Sequence, residues 1–279
     1  MKYGFPGPVN DVLYRKAYVA SYNRAKRNPN WVAEHLRASS FSTPPSSSPN
    51  SLPSPTGLVL ESEETSLDTP DRHKASFRED LDIPRMFRAK LKDYSGSGFD
   101  RGHLVPAADV KESQEAMSET FLLTNISPQV GPGFNRAYWF HFENFTRSLT
   151  TKFDDVYVVT GPLYLPKKEE DGKYYVRYQV IGEPANTAVP THFYKVILGV
   201  KDGKPALGAF VLPNEAIEDR KLEEFVLPLD AVEHASGLVF FPEVNRLSYK
   251  PLCQVTKCEV IPFRKAVRSM NGAKAWGIV

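Results

Sequence analysis

Cysteine is scarce in this 279-residue chain: only Cys253 and Cys258 are present. Two thiols cannot build a disulfide scaffold. Their C-x4-C spacing is not a standard zinc spacing, and no second pair exists to complete a site. Two free thiols are the expectation, with a local disulfide as the alternative. Long apolar runs are also missing, and nothing approaches the roughly 18 residues that a membrane-spanning helix needs. Met1 to Pro6 lacks the apolar segment of a signal peptide, so any targeting segment is expected to lie outside this chain. Charge of one sign is lacking too. The net charge of +2 does not by itself announce a nucleic-acid binder.

What is present suits a globular protein. Hydrophobic residues at 41% and charged residues at 24% are ordinary for a chain that buries a core. Charge is nevertheless uneven. From Arg246 to Val279 seven basic residues face one acid, Glu259. Between Ser39 and Pro55, 13 of 17 residues are Ser or Pro, a stretch that cannot bury apolar area. It is expected to be a disordered insertion running to about Thr69, so the organisation expected is one domain over 1–279 with an insertion at about 39–69 and a basic segment at 246–279.

Along the chain, residues 11–37 look helical, with Pro29 interrupting. Pro84 limits any helix between Phe77 and Tyr94. Residues 111–120 suit a short helix, and Phe121 to Ile126 a strand. Gly131-Pro132-Gly133 is a turn that starts a longer helix from about Phe134 to Lys152. β signals then dominate: Val156 to Thr160 is rich in β-branched residues and Tyr174 to Ile181 alternates. Pro190 to Val200 and Leu207 to Leu212 bracket the turn Lys201-Asp202-Gly203-Lys204, a hairpin signal. A helix over 228–237 and a strand over Leu238 to Phe241 complete an α+β pattern with a largely antiparallel sheet.

Two constellations carry chemistry. Of six histidines, His103 stands out by position, because it ends Asp100-Arg101-Gly102-His103 directly after the turn Ser95-Gly96-Ser97-Gly98. Gly102 allows backbone or ligand to approach closely, and an arginine beside a histidine suits phosphate. On the helix from Phe134, Tyr138, Phe142, Phe145 and Leu149 form an apolar stripe. Asn135, Glu143 and Arg147 fall at roughly 0°, 80° and 120°, one polar arc beside it. Taken alone, that arc reads first as a solvated face. Phosphodiester hydrolysis supplies the sharper reading, since it needs an activated water, charge stabilisation at phosphorus and help for the leaving oxygen. One amide oxygen suffices for a hydrated Mg²⁺ if substrate adds ligands, and a neutral imidazole can take the proton from water.

These residues together resemble the DNA/RNA non-specific endonuclease family, nearest its mitochondrial endonuclease G branch and fungal counterparts. The resemblance rests on Ser97 to His103, Ala116 to Phe121, Thr124 to Val130, then Asn135 with Glu143 eight residues on, and later Thr160 to Pro166 and Val189 to Lys195. It implies a ββα-metal nuclease fold with a central antiparallel sheet flanked by helices. It also implies an endonuclease acting on DNA and RNA without regard to the sugar, leaving 5′-phosphate and 3′-hydroxyl ends. His103 would be the base that activates water. Asn135 would be the one direct ligand of Mg²⁺ (or Mn²⁺), with Glu143 orienting its waters. Arg147 and Arg101 would neutralise phosphate, Asp100 would hold the motif's geometry, and Asn125 would support the site. The family's upstream phosphate-binding arginine is not placed, since neither Arg72 nor Lys74 matches cleanly. A homodimer is implied, in the mitochondrial intermembrane space or on the inner membrane through a segment absent from this chain. The alternatives are a non-catalytic nucleic-acid-binding protein and a phosphoesterase acting on small diesters.

Overall fold

The structure is a computed structural model that describes residues 2–4, 11–41 and 69–260. The Ser/Pro-rich stretch from Ser42 to Asp68 and the end of the basic segment lie outside the described residues. Its framework is an eight-stranded sheet. The strands β1 (Val12–Tyr14), β2 (Tyr18–Asn23) and β3 (Asn28–Leu36) form one side. Two strands, β4 (Phe99–His103) and β5 (Ile126–Val130), make a separate antiparallel pair. The sheet continues with β6 (Asp155–Leu163). Four short strands follow, β7 (Lys167–Lys168) with β8 (Tyr174–Tyr175) and β9 (Val180–Ile181) with β10 (Thr187–Ala188). The long hairpin β11 (His192–Lys201) and β12 (Lys204–Pro213) returns to the main sheet, edged by β13 (Val226–Leu227) and β14 (Lys250–Pro251). The path is β1-β2-β3-β6-β11-β12-β13, antiparallel throughout, with β14 alone parallel to β12.

Five helices accompany the sheet: α1 (Leu91–Tyr94), α2 (Gln114–Glu119), α3 (Phe140–Ser148), α4 (Leu229–Ser236) and α5 (Leu252–Val255). A wider helical segment, Gly131–Trp139, leads into α3, with Pro132 and Gly133 themselves non-helical. The helix therefore starts at Phe134, where the Gly-Pro-Gly turn ends. Among the described residues no helix is long and apolar enough to cross a membrane.

Strand alternation sorts the core into two layers. Val156, Val158, Phe193, Ile197, Phe210 and Leu212 point toward α3, whose stripe Tyr138, Phe142, Phe145 and Leu149 is buried against them. Each such side chain contributes about 1.5–3 kcal/mol by leaving water. Tyr157, Val159, Tyr194, Val196 and Leu198 point the other way, toward α4 and Phe240.

Four expectations need correction. Residues 11–37 are strands, not helix: Tyr18, Ala20 and Tyr22 join one layer while Trp31 and Ala33 join the other, a period of two. Pro29 sits where the β2–β3 register shifts, a place where a missing N–H is tolerated. Phe121 to Asn125 is not strand. Leu122 makes only an isolated parallel bridge to Arg78, Leu123–Asn125 then form one tight helical turn, and the strand begins at Ile126. Leu238 to Phe241 forms no strand, although Leu238, Phe240 and Phe241 are buried in the second layer. Cys253 and Cys258 are not free thiols. They are joined in a local disulfide, because the single turn of α5 folds the chain back on itself.

In the central strand β6, Gly161 is required by close approach. A Cβ there would lie 2.3 Å from Tyr194 Oη and 2.5 Å from the Asn30 backbone oxygen. Tyr194 Oη donates to that same oxygen, so neither group is free to retreat. Gly161→Ala is expected to cost about 1–3 kcal/mol by overpacking, read as a lower Tm in thermal unfolding. An unchanged Tm would show that β3 and β11 spread at no cost.

Candidate active site

The motif residues divide between the two faces of β4. Asp100 and Gly102 stand opposite Gln129 and Ser127 of β5, while Arg101 and His103 stand opposite Pro128 and Ile126. On the first face a Cβ at Gly102 would overlap the Gln129 carboxamide at 2.1 Å. The group that uses Gly102's lack of a side chain is thus a protein amide. Asp100 accepts from Asn135 Nδ2 at 2.9 Å and from Arg136 at 2.7 and 2.5 Å. The Arg136 guanidinium, more than any other group, holds the Asp100 carboxyl below its ordinary range. Asp100 therefore ties the motif strand to the start of the crossing helix.

On the second face the His103 imidazole is 9% exposed. It packs edge-on to Phe121 at 4.8 Å and near Phe77 at 5.2 Å between ring centres. The Arg101 guanidinium lies over the same Phe77 ring, 4.5 Å from its centre. Burial, reinforced by the positive charge of Arg72, lowers the His103 pKa to about 3. The ring is thus neutral at physiological pH, and its buried Nε2 has no partner among the described residues.

Asn125 is fully buried and its amide is committed to backbone. Oδ1 accepts from Val105 N, and Nδ2 donates to Val105 O and Thr120 O. Its own carbonyl accepts from Leu104 N. It pins the two residues after His103, so its place is supporting rather than chemical.

The third group lies between α3 and the sheet. Arg147 Nε donates to Asp109 Oδ1, and Nη1 donates to Asn144 Oδ1 at 2.7 Å. Asp109 stands in the single turn Ala107–Asp109 that follows the motif. Glu143 is partly exposed as a residue, yet burial of its carboxyl raises the pKa to about 8 against the pull of Lys195. Lys195 of β11 is 1% exposed and donates from Nζ to Thr160 Oγ1 at 2.8 Å. Burial lowers the Lys195 pKa, while Glu34, Glu143 and Asp109 oppose that. Glu34 of β3 is buried with neither carboxylate oxygen hydrogen-bonded, and burial raises it well above the ordinary range. Burial raises Asp109 as well, despite Arg147. Three carboxyls thus face two cations, and one retained proton brings the group to neutrality.

The sequence placed Asn135, Glu143 and Arg147 on one helix, and the structure links Asn135 directly to Asp100. It joins Glu143 and Arg147 instead to Asp109, Lys195 and Glu34, none of which was singled out. Arg72 was left unassigned and lies close enough to His103 to shift its titration. Lys195 carried one readable signal, a lysine inside an otherwise apolar strand pattern, His192 to Val200. His192 is half-buried and bonds only Thr191 Oγ1 at 3.0 Å, in keeping with a structural role.

A divalent cation fits the donor chemistry at Asn135. The amide nitrogen is taken by Asp100, while no described donor takes the carbonyl oxygen, a hard neutral ligand. Among the described residues no group of three or more His, Cys, Asp or Glu is gathered to hold an ion. An ion on Asn135 would accordingly keep most of its water.

An antiparallel strand pair carrying Asp-Arg-Gly-His and followed by a crossing helix defines the ββα-metal nuclease arrangement. The profile described as DNA/RNA non-specific endonuclease matches residues 1–247, and the chain belongs to that family. It is 49% identical over 262 residues to "Nuclease C1" of Cunninghamella echinulata var. echinulata, covering 93% of this chain and 94% of that one. To the "Mitochondrial nuclease" of Saccharomyces cerevisiae it is 45% identical, covering 93% and 74% of the two chains. To "Endonuclease G, mitochondrial" of Caenorhabditis elegans it is 42% identical, covering 100% and 77%. A chain of the solved EndoG/EndoGI inhibition complex superposes with a TM-score of 0.78 at 43% identity, covering 89% of this chain and 92% of that one.

The His103 environment has a consequence for stability. Its folded pKa lies below the unfolded value of 6.5, so the unfolded chain takes up a proton first. The stability from this group is complete above about pH 6.5 and is lost as pH falls toward 3, by about 1.4 kcal/mol per unit. Urea unfolding of wild type and His103→Asn at pH 7 and 4.5 is expected to show a smaller acid loss in the variant, by about 2–3 kcal/mol. Equal losses would mean that the imidazole titrates normally in the fold.

Proposed function

We propose that this nuclease is a divalent-metal-dependent endonuclease that hydrolyses phosphodiester bonds in both DNA and RNA, leaving 5′-phosphate and 3′-hydroxyl ends. One observation carries the reading: His103, whose buried Nε2 has no partner among the described residues, ends the Asp-Arg-Gly-His strand, and Asp100 of that strand grips Asn135. His103 accepts the proton of the attacking water. Asn135 holds the cation, Mg²⁺ or Mn²⁺, through its free carbonyl oxygen, and Glu143 accepts hydrogen bonds from waters beside it. When bound, the cation neutralises charge on the phosphate oxygens and the departing oxygen. Arg147, fixed through Nε by Asp109, points its remaining donors at phosphate, and Arg101 and Arg72 supply positive charge on the His103 side.

Because water attacks, no 2′-hydroxyl is needed, so DNA and RNA are both substrates. Contacts to phosphate rather than to base edges give weak sequence preference. The names of the fungal and animal relatives support a mitochondrial location. The implied homodimer stands as part of the same reading.

A plasmid-nicking assay tests it. Wild type with Mg²⁺ is expected to degrade plasmid, and EDTA to stop it. His103→Ala and Asn135→Ala are expected to lose at least about a hundredfold in kcat while remaining folded by circular dichroism, as expected for removal of a base or a charge stabiliser. Cleavage that survives chelation removes the cation from the mechanism. Wild-type cleavage by His103→Ala reassigns the base.

A further inference from the structure

At the far end of the sheet, four lysines line one cavity of about 840 Å³: Lys152, Lys201, Lys204 and Lys250, with Phe153 and Asp202. The backbone sets their places. Lys201 and Lys204 are direct cross-strand partners at the end of the β11–β12 hairpin. Lys250 lies on β14, paired beside Ala206 of β12. Lys152 follows α3 and donates to Thr256 Oγ1 at 2.8 Å. Like charges directly across a strand pair destabilise it unless an anion lies between them. Among the described residues, Lys201, Lys204 and Lys250 form no ion pair. The acids at this turn are Asp202 and Asp154, whose carboxylate accepts the Asp202 backbone N–H at 2.9 Å. They leave an excess of two positive charges.

In a basic hollow near β1 and β3, by contrast, Arg15 is matched by Asp80 and Asp82, Lys16 by Glu115 and Arg37 by Asp155, while Lys2 lies over the Tyr3 ring. The following sequence does not neutralise the lysine cleft. Residues 261–279 contain four basic residues and no Asp or Glu. The ligand that this cleft fits is therefore an anion with several charges. Seventeen residues of largely helical chain separate Asn135 from Lys152, about 25 Å at helical rise. That distance equals roughly seven base pairs of duplex, at 3.4 Å per pair.

We propose that the cleft of Lys152, Lys201, Lys204 and Lys250 is a second phosphate-binding site, remote from the cutting site, that holds the backbone of a long nucleic-acid substrate. It rests on the reading that nucleic acid is the substrate. The cleft contributes affinity and not chemistry, so it acts on KM and its salt dependence for long substrates. Substrates too short to span the distance ignore it.

The test compares the full chain with its Lys201→Gln/Lys204→Gln/Lys250→Gln variant, all exposed positions whose neutralisation leaves the core untouched. Binding of a 40-base-pair duplex is measured in EDTA, so it does not depend on cleavage. The variant is expected to bind at least about tenfold more weakly, and its slope of log affinity against log salt to be shallower by about 2–3. With Mg²⁺, KM for the long duplex is expected to rise at constant kcat, with kcat/KM for a 4-base-pair hairpin, about 14 Å long, unchanged. Equal binding and equal salt slopes for the two proteins would overturn the proposal. So would loss of binding to vesicles containing anionic lipid with duplex binding intact, which would assign the cleft to a membrane surface. A wild type that binds duplex through these lysines yet cuts neither substrate would instead sink the nuclease reading and leave the cleft standing.

Discussion

The buried charges between α3 and the sheet are the constraint on which the site depends. Lys195, at the centre of β11, is costly to leave as a lone charge in an apolar layer. Its companions come from three directions: Glu34 from β3, Glu143 from α3, and Asp109 from the turn after the motif. Asp109 in turn fixes Arg147. The group thus specifies how helix, motif turn and sheet meet, in a way that the apolar contacts of Phe142 or Ile197 do not. Apolar contacts tolerate sliding; a lysine with three carboxyls around it has one satisfactory arrangement.

This arrangement also separates two kinds of work. Asp100, Asn135 and Arg136 form an exposed knot on one face of the motif strand. His103, Arg101, Phe77 and Phe121 form a covered aromatic corner on the other. Asn125 holds the chain that leaves His103, and Gln129 fills the space above Gly102. A carboxylate tied to the crossing helix and a desolvated imidazole are therefore carried by one five-residue strand, because alternate residues in a strand face opposite ways.

Much of this was legible in the sequence where the signal is local. The motif, the Gly-Pro-Gly helix start, the α3 stripe and the β11–β12 hairpin are written in consecutive residues, and Asn135, Glu143 and Arg147 follow from helical spacing. The first three strands were not legible. β2 and β3 are largely buried on both faces, so Tyr18 to Leu36 shows no clean alternation, and Pro29 sits at a bulge that no propensity announces. Glu34, Asp109 and Lys195 look like ordinary charged residues until the sheet brings them together across more than 150 positions. Arg72 precedes His103 by 31 positions, and only the fold brings them near. The disulfide depends on one turn of helix between two cysteines whose spacing alone left the question open.

Arg136 bears on ion preference. If the cation sits on Asn135, as proposed, Asp100 is the nearest anionic oxygen bound to that same amide. The bidentate guanidinium of Arg136 occupies both of its oxygens and cancels its charge. Such a cation would meet a single amide ligand, which suits a small ion that keeps most of its waters. Freed from Arg136, Asp100 would add an anionic oxygen there, better matched to a larger ion such as Ca²⁺ that takes more protein oxygens. On that reading an arginine on the protein surface would set the selectivity of a site it does not enter.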